Sequence, residues 1–142
     1  MSLSITQSSE SNELSQIGEE ETPATSRLED FQIIKSLGKG KFPVHLAKGN
    51  LTNSLFAVKF FSFYKGAVNP RFYSEVRFSD LKHPNIIVPF NSCLHDEKHP
   101  ETSYTVMEYA PHGDLFGFVY NGHIKSDEIL IRTFFHHLID GL

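Results

Sequence analysis

Leu37-Gly38-Lys39-Gly40-Lys41-Phe42-Pro43-Val44 is the stretch whose surroundings decide the fold. It is preceded by Phe31-Gln-Ile-Ile-Lys-Ser-Leu37, rich in β-branched and aromatic residues, and followed by the short run Val44-His-Leu-Ala-Lys48. Both flanks read as strands, so the glycines occupy the turn of a hairpin. A dinucleotide-binding fingerprint is excluded, because it needs a helix straight after its glycines. Glycine lacks a Cβ, which lets backbone N–H groups come close to phosphate oxygens. Taken alone, a plain hairpin with a glycine bulge has the same sequence.

Working outward, Gly49-Asn-Leu-Thr-Asn-Ser54 is a polar turn, and Leu55-Phe-Ala-Val-Lys-Phe-Phe61 is a strand too apolar to keep a wet face. Lys59 stands in the middle of that strand, where an ammonium is costly unless it finds an anion. An edge-strand lysine snorkelling to water is the alternative. One hairpin separates Lys59 from the glycines, which puts its side chain beneath their turn. Pro70 suits the first turn of a helix in which Phe72, Val76 and Ser79 recur, running to about Lys82. His83-Pro84-Asn85 stops it. Ile86-Ile-Val-Pro-Phe90 reads as the next strand, with Pro89 marking an edge or a bulge. His95 to Thr102 is a polar loop, and Tyr104-Thr-Val-Met-Glu-Tyr109 is a fifth strand. After Gly113 the pattern is helical. Ser126 is the predicted N-cap of the last helix, with Asp127 and Glu128 in its first turn. Ile129, Phe134 or Phe135, and Leu138 give it an apolar stripe.

The 142 residues suffice for one domain. Hydrophobic residues make up 39% and charged ones 21%, an ordinary globular balance. A net charge of -4 argues against a nucleic-acid binder. Cys93 is the only cysteine, so no intrachain disulfide forms, and it reads as a small buried hydrophobe. No signal peptide and no membrane span are legible, which points to the cytoplasm or nucleus. Residues 1–27, rich in Ser, Thr, Gln and Glu, read as a disordered acidic tail, a solvated linker rather than an acceptor of phosphate on its serines and threonines. His136-His137 are neighbours pointing roughly 100° apart on a helix, which favours ordinary helix surface over metal.

The Gly-rich turn, Ala57-Val58-Lys59, a helix bearing Glu, His83-Pro84-Asn85 and then Val106-Met-Glu-Tyr-Ala-Pro-His-Gly-Asp-Leu-Phe116 occur in the order of the eukaryotic-type protein kinases. The chain resembles that family from about Phe31 to Leu142. The last stretch is similar to the hinge between the lobes, and "serine/threonine" follows from its style. The resemblance implies an α+β fold: a small lobe over about 30–109, with a five-stranded antiparallel sheet and one main helix. Two helices of an incomplete large lobe follow over about 110–142. It implies ATP as ligand and a protein hydroxyl as substrate of the full-length parent. Gly38 and Gly40 would cover the phosphates with backbone donors, and Leu37 and Lys39 would belong to the same nucleotide-binding turn. Lys59, held by Glu75, would pair with the α- and β-phosphates. Val44 and Ala57 would enclose the adenine, with Met107 as gatekeeper behind it. The main chain of Glu108 and Ala110 would hydrogen-bond the adenine edge. Asp114 would lie near the ribose or cap a helix.

Two departures stand out. Phe42 is followed by Pro43-Val44 where the family continues with a third glycine, so the loop is short and lacks an N–H at Pro43. Counting back without gaps from His83-Pro84-Asn85 puts Ser74, not Glu75, opposite the lysine; Glu75 is favoured because a helix can absorb a deletion at its end. No His-Arg-Asp or Asp-Phe-Gly motif occurs, so catalytic residues and Mg²⁺ ligands are expected only in the parent, and this chain alone is expected to be inactive. A pseudokinase or non-catalytic interaction module is the alternative.

Overall fold

The computed structural model describes residues 27–38, 40–124 and 127–142. The expected tail therefore lies, Arg27 excepted, outside the described residues, as do Lys39 and Ser126. Strands β1 (Phe31–Gly38), β2 (Val44–Gly49), β3 (Leu55–Ser62), β4 (Pro89–Cys93) and β5 (Thr102–Glu108) form one antiparallel sheet in the order β1-β2-β3-β5-β4. Helix α1 (Pro70–Val76) joins β3 to β4, and α2 (Leu115–Tyr120) and α3 (Glu128–Asp140) follow β5. This is the α+β architecture expected from the sequence.

The inner strands are the most buried. Ala57, Val58 and Phe61 of β3 and Ser103 to Val106 of β5 are buried. Strand β4 is an edge. It begins at Pro89 and shifts register between Pro89 and Asn91, so both features expected of that proline are present. Alternation divides the sheet into two faces. On one, Ala47, Val58, Tyr104 and Val106 form the core cluster, with Leu28, Phe31, Phe56, Phe60 and Cys93 against it. Val44, Leu46, Ala57, Lys59, Phe61, Thr105 and Met107 alternate onto the other face, as their cross-strand pairing requires. Helix α1 covers part of that second face, where Phe72 meets Phe61 edge-on at 5.6 Å.

A 3-10 turn at Leu28–Asp30 leads into β1. Asp96, in the β4–β5 loop, fastens it by accepting from the backbone N–H of Leu28 at 3.1 Å, and also from Lys98 at 3.0 Å and His99 at 3.1 Å. Burial opposes the charge of Asp96, yet these three donors hold its carboxyl below the usual carboxylate range. Lys98 pairs with Glu29 across the same junction.

Three expectations need correction. Helix α1 ends at Val76, not near Lys82. Beyond it the backbone tightens into i→i+3 bonds, and the Ser79 hydroxyl donates to the Val76 carbonyl at 2.6 Å, competing with helix continuation. The fourth strand starts at Pro89 rather than Ile86, because Ile86-Ile-Val88 lines a cavity beside α1 instead of laddering with β5. The cap of α3 is Asp127, whose side chain accepts from the Leu130 N–H at 3.0 Å. The apolar stripe on α3 is largely open: Ile129, Phe135 and Leu138 are exposed, and Phe134 packs onto Phe118 at 5.9 Å.

Candidate functional site

Lys59 lies at the middle of β3, with Val44 opposite it on β2 and Thr105 opposite it on β5. Its ammonium donates to the Glu75 carboxylate of α1, and the two side chains are 23% and 31% exposed. The cation in an apolar strand thus has its anion, and little water competes for it. Ser74, the other candidate partner, is exposed and donates its hydroxyl to the Pro70 carbonyl of its own helix at 3.2 Å. Asn69 sets the start of that helix, its side chain accepting from the Arg71 N–H at 3.1 Å.

Above the lysine runs the β1–β2 turn. Gly38 closes β1 opposite Val44, and Leu37 beside it is partly exposed. Among the described residues, apart from its chain neighbours, a Cβ added to Gly38 or Gly40 would meet no atom within 4 Å. Crowding by those residues therefore does not explain these glycines. Pro43 donates nothing, but its carbonyl accepts from the Phe60 N–H at 3.0 Å and extends the β2–β3 ladder. Sequence reasoning gave Phe42 no role. Its ring packs 5.1 Å from that of Phe61, and Lys59 Nζ lies 5.8 Å and 5.4 Å from the two ring centres. Its position after two glycines was the available signal.

Val44, Ala57 and Met107 share the face of Lys59, with Ala57 directly opposite Met107. Met107 also borders a cavity of about 490 Å³ that reaches Glu75, Phe78 and Ile86 under α1. Glu108 ends β5, and Ala110 follows it, exposed. Asp114 is not gathered into this cluster by any described contact. It caps α2, accepting from the Gly117 N–H at 2.7 Å, and borders an open cavity with His112, Phe118 and His123. Thr105, opposite Lys59, is fully buried, and among the described residues its hydroxyl has no hydrogen-bond partner.

Among the described residues no three His, Cys, Asp or Glu side chains are grouped to hold a metal. His136 pairs with Asp140 of the same helix at 2.9 Å. Among the described residues no helix is long and apolar enough to cross a membrane.

A lysine at the centre of a five-stranded antiparallel sheet, paired with a helix glutamate under a Gly-rich hairpin, defines a protein-kinase-like small lobe. Known proteins give the same family. Aurora kinase B of Xenopus tropicalis is 34% identical over 120 residues, covering 81% of this chain and 32% of its own length. Serine/threonine-protein kinase SAPK1 of Oryza sativa subsp. japonica is 36% identical over 119 residues, covering 81% and 32%. An Aurora kinase of Yarrowia lipolytica is 36% identical over 99 residues, covering 66% and 26%. No family model matches the chain. The chain belongs to the eukaryotic-type, serine/threonine-like protein kinases, and spans about a third of the length of the first two relatives.

Proposed function

We propose that this chain is the ATP-binding portion of a serine/threonine protein kinase. The Lys59–Glu75 pair carries the reading: a mostly buried ammonium, fixed by one carboxylate beneath open glycines, suits the α- and β-phosphates of a nucleotide. Gly38 and Gly40 cover those phosphates with backbone donors, Leu37 and Lys39 belong to the same nucleotide-binding turn, Val44 and Ala57 enclose the adenine, and Met107 bounds it at the back. The main chain at Glu108 and Ala110 bonds the adenine edge. Asp114 approaches the ribose with the carboxylate oxygen that its cap leaves over. In the whole protein the γ-phosphate passes to a protein hydroxyl, with Mg²⁺ held by residues outside this chain. These 142 residues alone hold ATP without transferring phosphate, since they contain neither a His-Arg-Asp nor an Asp-Phe-Gly motif. The cytoplasm or nucleus is the proposed place of action, and nucleic acid is not a proposed partner.

The test is a thermal melt against ATP concentration. A hundredfold excess over Kd stabilises the fold by about 2.7 kcal/mol, a rise in Tm on the order of 10 °C. Lys59→Met removes most of that rise. An unmoved Tm at saturating millimolar ATP counts against the site, and steady transfer of label from ATP to a protein substrate counts against inactivity. A second reading, a non-catalytic scaffold, is favoured by one observation: Pro43 supplies no phosphate donor where the loop most needs one.

A further inference from the structure

The β1–β2 turn folds its aromatic residue inward, onto the group meant to receive phosphate. Phe42 is half-buried, and its ring is tilted 37° to that of Phe61. Lys59 Nζ is within 6 Å of both ring centres, at 5.8 Å and 5.4 Å, while its hydrogen bond goes to Glu75. One carboxylate and two aromatic rings, each attractive to a cation, thus surround the ammonium. Among the described residues, none beyond the chain neighbours of Gly38 and Gly40 has an atom within 4 Å of an added Cβ. The turn therefore leaves room at its glycines and sets the Phe42 ring beside the cation, whose side chain is 23% exposed. Pro43 narrows the conformations of Phe42 by its ring, and its own carbonyl is tied to Phe60. Phe42 has fewer ways to swing out than an aromatic residue followed by glycine.

We propose that Phe42 is a latch that excludes phosphate from Lys59, so that this site takes a nucleoside in preference to a nucleoside triphosphate until the turn opens. The inference rests on the nucleotide reading above. A neutral nucleoside needs no contact with Lys59, and the residues proposed for its base lie along β2, β3 and β5. A triphosphate must displace Phe42 from the ammonium. Its apparent affinity then falls by the fraction of molecules whose turn is open.

Calorimetric titration with adenosine and with ATP, on the protein and on Phe42→Ala and Phe42→Leu, separates the cases. A second readout needs no nucleotide: the rate at which a small acylating reagent modifies Lys59, followed by peptide mass spectrometry. Removing the ring in Phe42→Ala is expected to raise ATP affinity roughly fivefold, with adenosine affinity unchanged and Lys59 acylated several times faster. Phe42→Leu keeps an apolar side chain on Phe61, guarding against a merely loosened hairpin, and is expected to give a smaller gain of the same sign. Equal changes for ATP and adenosine, or no change with Lys59 acylated at the original rate, overturn the latch and leave the nucleotide site standing. Binding of neither ligand to any of the three proteins overturns both.

Discussion

Lys59 survives in the middle of an apolar strand because Glu75 neutralises it where water has little access. With both side chains less than a third exposed, the pair lies between a surface ion pair and a buried one. Glu75→Gln leaves an uncompensated ammonium and is expected to cost about 1–3 kcal/mol in urea unfolding at neutral pH. Ser74→Ala removes only an exposed helix-surface bond and is expected to stay within about 0.5 kcal/mol. A larger loss from Ser74 than from Glu75 would falsify the pairing. Tyr104 sets a second test. Burial, reinforced by the neighbouring Cys93 thiol, pushes its phenol far above the ordinary tyrosine value. A folded-state value raised in this way stabilises fully below the unfolded value near 10 and is lost as pH climbs above it. Tyr104→Phe should therefore flatten the loss of stability between pH 9 and about 11 relative to the unaltered protein. Parallel curves in that range would show that Tyr104 does not titrate with unfolding.

Elements are joined here by single side chains more than by broad surfaces. Asp96 is the clearest case, tying the 3-10 turn at Leu28–Asp30 to the β4–β5 loop through three backbone donors. Its carboxyl is held below the ordinary range, so it stabilises above the unfolded value near 3.9 and ceases to as pH falls through the folded one. Asp96→Asn keeps the shape, weakens the charge-assisted bonds and should lower stability at pH 7 by about 1–2 kcal/mol while flattening the acid arm. An acid arm as steep as before would assign that titration to another carboxylate. The strands were legible because glycine and asparagine punctuate runs of β-branched and aromatic residues. Lys59 was legible because a charge in such a run demands an anion. The end of α1 was not legible, since Ser79 continues the step set by Phe72 and Val76, while its hydroxyl, invisible to periodicity, bonds back to the Val76 carbonyl where the helix ends. Ile86-Ile-Val88 misled for a related reason: an unbroken apolar run has no period to separate a strand from a cavity wall. Phe42 escaped notice because its role depends on two residues of the next hairpin, Lys59 and Phe61. Asp96 likewise gains its meaning from Leu28, far away in sequence.

At the scale of the whole molecule, burial is uneven. Among the described residues the largest fully buried side chains belong to β3 and β5, with Tyr104, Phe61, Val58 and Val106 foremost. Helices α2 and α3 meet through Phe118 and Phe134, and α3 reaches the rest of the chain near its end, where Gly141 lies against Asn85 and Ile86. Phe116, Tyr120, Ile129 and Ile139 stay mostly exposed, at 77%, 80%, 79% and 65%. Local stability follows buried contact, so segments sharing little of the core open without global unfolding. Native-state hydrogen exchange should therefore rank the amides of β3 and β5 at the global unfolding free energy, and those of α3 well below it. Mild denaturant should leave α3 exchange nearly unchanged, because little surface is newly exposed when it opens, while exchange from β3 and β5 accelerates steeply. Saturation with ATP adds a further contrast. It should raise protection in β3 and β5 by the binding free energy and leave α3 openings where they were. Equal opening free energies in α3 and β3 would mean one cooperative unit, held by contacts stronger than the Phe118–Phe134 edge and the Gly141 approach can supply.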